Sequence, residues 1–177
     1  MKCFKIIIFS LILIVNSVFS QPIVDIEELR HSDEIGYFGS ASLNLDSSRG
    51  NENRDDFNIT LAFAKNNESI ESLLAFNKSE RTKDNVTEDE STFGHARILW
   101  KLDKTFDLET YIQSTENPFQ SYKQRNLIGI GVRFKDIDKY KIGLSILREK
   151  EETLTGVKKD TDRLNIYVHR QAKFKIK

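Results

Sequence analysis

The chain has 177 residues, 27 Lys+Arg against 27 Asp+Glu, and a hydrophobic content of 38%. That length favours one domain, and the balanced charge removes the electrostatic case for nucleic acid. Beyond the N-terminus no apolar run approaches the ~20 residues of a membrane helix, although a transmembrane β-barrel stays admissible because it hides its membrane surface in alternate residues.

Met1 to Ser20 carries Lys2 and Lys5 in a short basic head, an apolar run from Ile6 to Val15, and Val18 and Ser20 at the small-residue positions before Gln21. This is the three-part pattern of a secretory signal peptide, cleaved after Ser20 to leave about 157 residues. Cys3 leaves with it, so the mature chain holds no cysteine and no disulfide, thiolate metal site or cysteine nucleophile. The Asn-x-Ser/Thr sequons at Asn58, Asn67, Asn77 and Asn85 read as products of an Asn-rich composition, since Asn58 and Asn77 fall inside strand patterns. Residues 21–35 set Ile23, Val24, Ile26 and Leu29 among charges; this N-terminal segment, expected in the periplasm, suits a tail, a short helix or part of a plug.

From Gly36 to the end, residues 36–177 are expected to form one β-domain, because a two-residue period recurs in segments of about ten. In the first, Tyr37, Gly39, Ala41, Leu43 and Leu45 alternate with Phe38, Ser40, Ser42 and Asn44; in the second, Phe57, Ile59, Leu61 and Phe63 alternate with Asn58, Thr60, Ala62 and Ala64. A looser third has Ile70, Leu74 and Phe76 on one side. The fourth sets Gly94, Ala96, Ile98, Trp100 and Leu102 opposite His95, Arg97 and Lys101, and the fifth sets Phe106, Leu108 and Ile112 opposite Asp107, Glu109 and Gln113. Ile128, Ile130, Val132 and Phe134 face away from Gly129, Gly131 and Arg133 in the sixth. The seventh places Tyr140, Ile142, Leu144 and Ile146 against Lys141, Gly143 and Ser145, and the eighth places Leu164, Ile166 and Val168 against Arg163, Asn165 and His169.

The polar connections alternate in length. Asp46 to Asp56, Thr82 to Ser91, Thr115 to Gln124 and Glu149 to Asp162 read as long loops, whereas Asn66 to Ser69, Asp103 to Thr105 and Asp136 to Lys139 read as tight turns. An up-and-down barrel of the outer membrane has long outer loops and short periplasmic turns, and a chain that starts in the periplasm meets a long loop first, as here. On the apolar face Tyr37, Phe63, Trp100, Phe106, Phe134 and Tyr140 fall beside the short turns or at the chain's entry. At one depth they would form a periplasmic aromatic girdle. The expected fold is therefore all-β, an antiparallel up-and-down transmembrane β-barrel with about eight strands visible. The same period also fits a soluble barrel with its charged face outside and its apolar face inside.

Several stretches resemble the bacterial family called domain of unknown function 481, also labelled salt-induced outer-membrane protein. They are Ile26 to Arg30, Gly36 to Leu45, and Gly50-Asn51-Glu52 running into Phe57 to Phe63, where Glu52 stands in place of the family's usual Thr. Phe93-Gly94-His95-Ala96-Arg97, and Asn117-Pro118-Phe119 leading to Arg125-Asn126-Leu127-Ile128-Gly129-Ile130-Gly131-Val132-Arg133, resemble its central motif. The similarity runs from about Ile26 to His169. It implies a Gram-negative, porin-like outer-membrane barrel. Such barrels generally have more strands and end on an aromatic residue, whereas this chain closes Phe174-Lys175-Ile176-Lys177; truncation at the C-terminus is the expectation over a small closed barrel.

If the apolar face meets lipid, then His95, Arg97, Lys101, Asp107, Glu109, Arg133, Lys141 and Arg163 face a lumen, with Lys101 opposite Asp107 as a cross-strand pair. They are expected to fill the interior with ion pairs, a selective lumen being the sharper option. No nucleophile elbow, His-x-x-x-His pair or Gly-rich phosphate loop occurs, so no catalytic residue, metal or cofactor is expected, and the protein is not read as an enzyme. His95 with Ser42 or Ser145 is the nearest approach to a catalytic pair. The acidic stretches Asp46, Glu52, Asp55, Asp56 and Asp84, Glu88, Asp89, Glu90 lack a calcium-loop spacing. The expected partners are outer-membrane lipids, lipopolysaccharide and the barrel assembly machinery, with no nucleic acid. The alternative function is a soluble periplasmic barrel that binds an apolar ligand.

Overall fold

The computed structural model describes residues 34–120, 122–137 and 140–170, together with Ile26 and Leu29. The stretch expected to be a signal peptide, most of the segment before β1 and the last seven residues lie outside the described residues.

Eight strands follow one another along the chain: β1 (Gly36–Ser48), β2 (Arg54–Asn66), β3 (Ile70–Lys83), β4 (Val86–Lys101), β5 (Phe106–Glu116), β6 (Tyr122–Ile137), β7 (Tyr140–Thr153) and β8 (Lys158–Arg170). They form one sheet in the order β1-β2-β3-β4-β5-β6-β7-β8, every neighbouring pair antiparallel. Among the described residues β1 and β8 each pair on one side only.

Register keeps the two faces distinct across the sheet. One row runs Ser40↔Ala62↔Ala75↔His95↔Gln113↔Leu127↔Glu149, and the adjacent row runs Ala41↔Leu61↔Phe76↔Gly94. Because side chains alternate between faces, a slip of one residue would exchange the rows, so the apolar period fixes the pairing. The sheet is strongly curled. Tyr167 on β8 donates its hydroxyl to Glu109 on β5 at 3.1 Å, although three strand spacings in a flat sheet amount to about 14 Å. The polar face is the concave one.

The apolar face is convex and exposed. Leu43, Leu74, Ile112, Ile128, Ile146 and Leu164 all stand open on it. The soluble arrangement requires the opposite orientation.

The connections correct the loop expectation. Strand pairing continues to Lys83 and resumes at Val86, so the stretch read as a long loop from Thr82 to Ser91 is mostly ladder around a turn at Asp84 and Asn85. Both turn residues have positive φ, 48° and 65°, which Asp and Asn tolerate better than most residues and which a two-residue hairpin needs. The other long stretches shorten likewise, to 49–53, 117–121 and 154–157. Past the apolar band both faces are wet, so the ladder persists after the alternation that betrays it has stopped. The short turns, at Asn67 to Ser69 and Leu102 to Thr105, fall where expected within a residue.

Candidate functional site

The concave face carries its buried ion network on β4 to β8, whereas the middle of β1 to β3 is neutral, between buried Glu71 toward the short turns and the Asp56–Arg81 pair at the opposite end. At the centre of that network Glu109 and Arg133 are each 1% exposed. Arg133 donates Nε to the Tyr167 hydroxyl at 2.7 Å and holds Nη2 3.6 Å from Glu109 Oε2, while Arg97 Nη1 lies 4.0 Å from the same oxygen. Charges taken this far from water need partners on most of their polar atoms, and Tyr167 supplies one to each ion.

Glycines make room for this arrangement. A Cβ on Gly143 would stand 2.0 Å from Tyr167 Cζ, and one on Gly129 2.3 Å from Tyr111 Cζ, so each ring lies over a glycine of the neighbouring strand. Gly131 is different: its Cβ would meet the backbone oxygen of Leu144 at 2.7 Å and Ser145 Cβ at 2.6 Å. Close approach of strand to side chain and of strand to strand is what these glycines permit.

The network extends in both directions along the strands. Toward the short turns, Asp107 accepts from Lys135 Nζ at 2.6 Å, and Lys101 Nζ donates to Asn66 Oδ1 at 2.5 Å and to the Asn67 carbonyl at 2.7 Å. Lys101 and Asp107 are register partners as expected, but their charges are engaged elsewhere, which corrects the predicted pair. The long Lys101 stem swings to the β2–β3 turn, and Lys135 reaches Asp107 from the far side. In the opposite direction Arg125 binds Glu151 Oε2 through Nε and Nη2 at 3.0 and 2.7 Å, its guanidinium carbon 4.0 Å from the centre of the Tyr122 ring. Arg163 Nη2 reaches Glu149 Oε1 at 2.7 Å.

His95 and Ser145, paired above as a conceivable catalytic couple, face other groups. His95 Nδ1 is 3.3 Å from Gln113 Oε1, with its ring stacked between Phe93 and Tyr111, and Ser145 Oγ is 3.4 Å from the Tyr111 hydroxyl. Three acidic residues in or beside the connection from β1 to β2 are held in ion pairs: Asp55 with Arg49 at 2.8 Å, Asp56 with Arg81 at 2.8 Å, and Glu52 with Lys83 at 2.8 Å. In the short turn after β4 the Asp103 carboxylate accepts from the backbone N–H groups of Phe106 and Thr105, which hold its pKa below the usual carboxylate range.

The neutral middle of β1 to β3 is lined by Ser40, Ser42, Asn58, Thr60, Ala62 and Ala75, with no ion among them.

Of the expected lumen residues, His95, Arg97, Lys101, Asp107, Glu109 and Arg133 share this concave face, buried or half-buried. Arg163 joins from the exposed β8 edge, and the Lys141 side chain lies outside the described residues. Tyr111, Tyr122, Arg125, Glu149 and Tyr167 were not anticipated. Four of them occupy inward positions of their strands' alternation, with Tyr111 and Tyr167 opposite glycines, whereas Tyr122 is out of phase with β6 and lies beside the register shift between Tyr122 and Gln124, which periodicity does not show. Among the expected girdle residues, Tyr37, Phe63 and Phe134 stand exposed on the convex face, Trp100 and Phe106 are half-buried there, and the Tyr140 side chain is not described. Phe106 pairs with Phe134 across β5 and β6, and the Tyr37 and Phe63 rings are 6.3 Å apart.

A family model described as protein of unknown function, DUF481, matches residues 41–148, from within β1 to within β7. No curated protein and no solved structure matches the chain.

Proposed function

Because the chain belongs to the DUF481 family, whose description leaves its function open, we propose from the two faces that it is a wall-forming β-barrel protein of the bacterial outer membrane, structural or pore-like in role. The observation that carries this reading is the reversed burial: Arg133 and Glu109 are 1% exposed on the concave side while Ile130 on the convex side of the same region is 46% exposed. In water such an arrangement inverts the hydrophobic effect, and an exposed apolar surface of this extent calls for a cover. Lipid supplies one. The exposed aromatics at the short-turn end then lie at the periplasmic interface, where rings with one apolar and one wet side collect.

On this reading the protein reaches its place by a cleaved signal peptide and the barrel assembly machinery, and its partners are outer-membrane lipids and lipopolysaccharide. It performs no chemistry. The ion network fills its side of the lumen with paired charges, so any current passes along the neutral wall of β1 to β3 and is weakly selective.

A pair of substitutions tests the reading. Ile130→Arg should cost about 2–4 kcal/mol of folding free energy in vesicles if that residue meets the bilayer midplane, and Thr60→Lys, on the concave face, should cost less. The reverse ranking, or recovery of native protein from the soluble periplasmic fraction, would refute it. Conductance of the full chain in planar bilayers then separates a pore from a structural wall.

A further inference from the structure

Both ends of the sheet are open ladders. Among the described residues β1 and β8 each pair on one side only, and no Cα of β1 comes within 8 Å of one in β8, whereas paired strands stand about 4.8 Å apart. Each edge strand is 13 residues long and exposed along most of its length. Unpaired N–H and C=O groups of that extent are a template for another strand, and in lipid they cannot stay unpaired. With eight strands in the sheet, β1 and β8 run in opposite directions, so the free edge of β8 offers β1 an antiparallel partner.

The side chains select which residues meet. The row through Ala41, the middle of the apolar stretch of β1, reaches β8 at Asp160, six residues from Ile166 at the middle of the apolar stretch there. The apolar band thus slips by about one residue per strand, the stagger of a tilted barrel wall. Inward residues must meet inward residues, which leaves registers two residues apart. Leu164 opposite Leu45 sets Ile166 opposite Leu43 and Val168 opposite Ala41, and keeps the slip near one residue per strand. A shift of two in either direction sets Asp162 against Leu45 or Leu164 against Ser47.

The same register satisfies the charges, because it brings Arg163 opposite Asp46 on the concave face. Within the chain Asp46 pairs in register with Asp56, a second carboxylate, whose cations are Arg54 and Arg81 at 2.9 and 2.8 Å. The Asp46 carboxylate has no cation of its own among the described residues. Like charges opposite one another destabilise a sheet, and a cation on the other side relieves them. Arg163 stands on the β8 edge with its side chain 52% exposed, and Glu149 takes one of its five N–H donors at 2.7 Å.

We propose that the occupant of each open edge is a second copy of this chain. β8 of one copy pairs with β1 of its partner along Leu164–Leu45 and Arg163–Asp46, and a two-fold axis repeats the seam. The gap between β1 and β8 of a single copy favours the partner's edge over the chain's own. Two identical seams leave no free edge and close two sheets of eight strands into one barrel of sixteen. A barrel of that size leaves an aqueous channel, whereas eight strands closed on themselves are filled by side chains. The inference rests on the barrel reading given above and adds to it the partner and the seam.

Disulfide trapping between two differently tagged copies tests it. In a Cys3→Ser background, one copy carries Asn44→Cys on β1 and the other Asn165→Cys on β8, partners across the seam. The full chains are co-expressed, extracted in mild detergent, checked for strand content by circular dichroism and oxidised. A product holding both tags is expected, several-fold above that from Asn44→Cys with Thr161→Cys, which lies four residues out of register. No mixed product, or equal yields from the two pairs, would overturn the proposal. So would a single chain carrying both Asn44→Cys and Asn165→Cys that links within itself and not to another copy. Arg163→Asp on the β8 copy should lower the mixed product several-fold and Asp46→Arg on the β1 copy should restore it; no fall, or no restoration, would overturn the register. Fractionation of the same cells keeps the two readings apart: recovery in the soluble fraction refutes the membrane reading, while membrane-borne chains that fail to link refute the two-copy seam alone.

Discussion

Gly143→Ala tests the link between the glycines and the buried ion network. The added Cβ would stand 2.0 Å from Tyr167 Cζ and 2.5 Å from its hydroxyl. These atoms are the far end of a side chain that can rotate, so the ring swings away and the clash itself is relieved. The cost lies in what the hydroxyl leaves behind: a 2.7 Å bond from Arg133 and bonds of 3.1 and 3.2 Å to the Glu109 carboxylate. Hydrogen bonds to charged groups contribute about 1.5–3 kcal/mol each, so losing the Arg133 bond and one to Glu109 should destabilise the sheet by about 3–6 kcal/mol. The assay is reversible urea unfolding of the full chain in lipid vesicles, followed by the fluorescence of Trp100, the sole tryptophan. The decisive comparison is a double-mutant cycle with Tyr167→Ala. If the glycine matters through the tyrosine, Gly143→Ala should add little in the Tyr167→Ala background, leaving a coupling of several kcal/mol. Additive effects would refute the reasoning and place the cost of the methyl in the strand itself.

Gly131→Ala should cost less, about 1–3 kcal/mol for overpacking of this kind, yet resist rescue by Ser145→Gly, because its Cβ would meet the Leu144 backbone oxygen at 2.7 Å, an atom no rotamer change can move; the same unfolding assay reads it. Asp103 gives a pH prediction: its lowered pKa means that its contribution is present above the unfolded carboxylate value of ~3.9 and is lost as pH falls through the folded value. The unfolding midpoints of the native chain and Asp103→Ala should thus differ at neutral pH and converge in acid; a constant gap would refute the carboxylate's role.

How far this architecture is legible in the residues depends on where the alternation is two-toned. Ile128, Ile130 and Val132 against Gly129, Gly131 and Arg133 mark β6 and its faces without ambiguity, and the same holds for β2 and β7. At Arg81, Thr82 and Lys83 both faces are polar, so the ladder there has no hydrophobic signature, although its backbone still pairs with β4 across a register shift between Arg81 and Thr82. Periodicity also cannot say which face turns inward. That follows from the burial of Glu109 and Arg133, which no composition reveals. The Lys101–Asp107 reading failed for a related reason: register fixes where two Cα atoms sit, while a long side chain chooses among all acceptors within its reach, and Asn66 offered a better one.

The division of the concave face has a mechanical meaning. Side chains that bridge from β8 to β5, as Tyr167 does to Glu109, act as struts across the curvature, so β5 to β8 can flatten only by pulling buried ions apart. β1 and β2 carry no buried ion bridge across three strands; their side-chain ties join near neighbours, as in the exposed Asp56–Arg81 pair at 2.8 Å and the Asn77 amide, which bonds Thr60 Oγ1 at 2.9 Å and the Ile59 carbonyl at 3.1 Å. The molecule is thus stiff on one flank and compliant on the other. Slow breathing should begin at β1, whose amide hydrogens are expected to exchange with solvent ahead of those in β5 to β7.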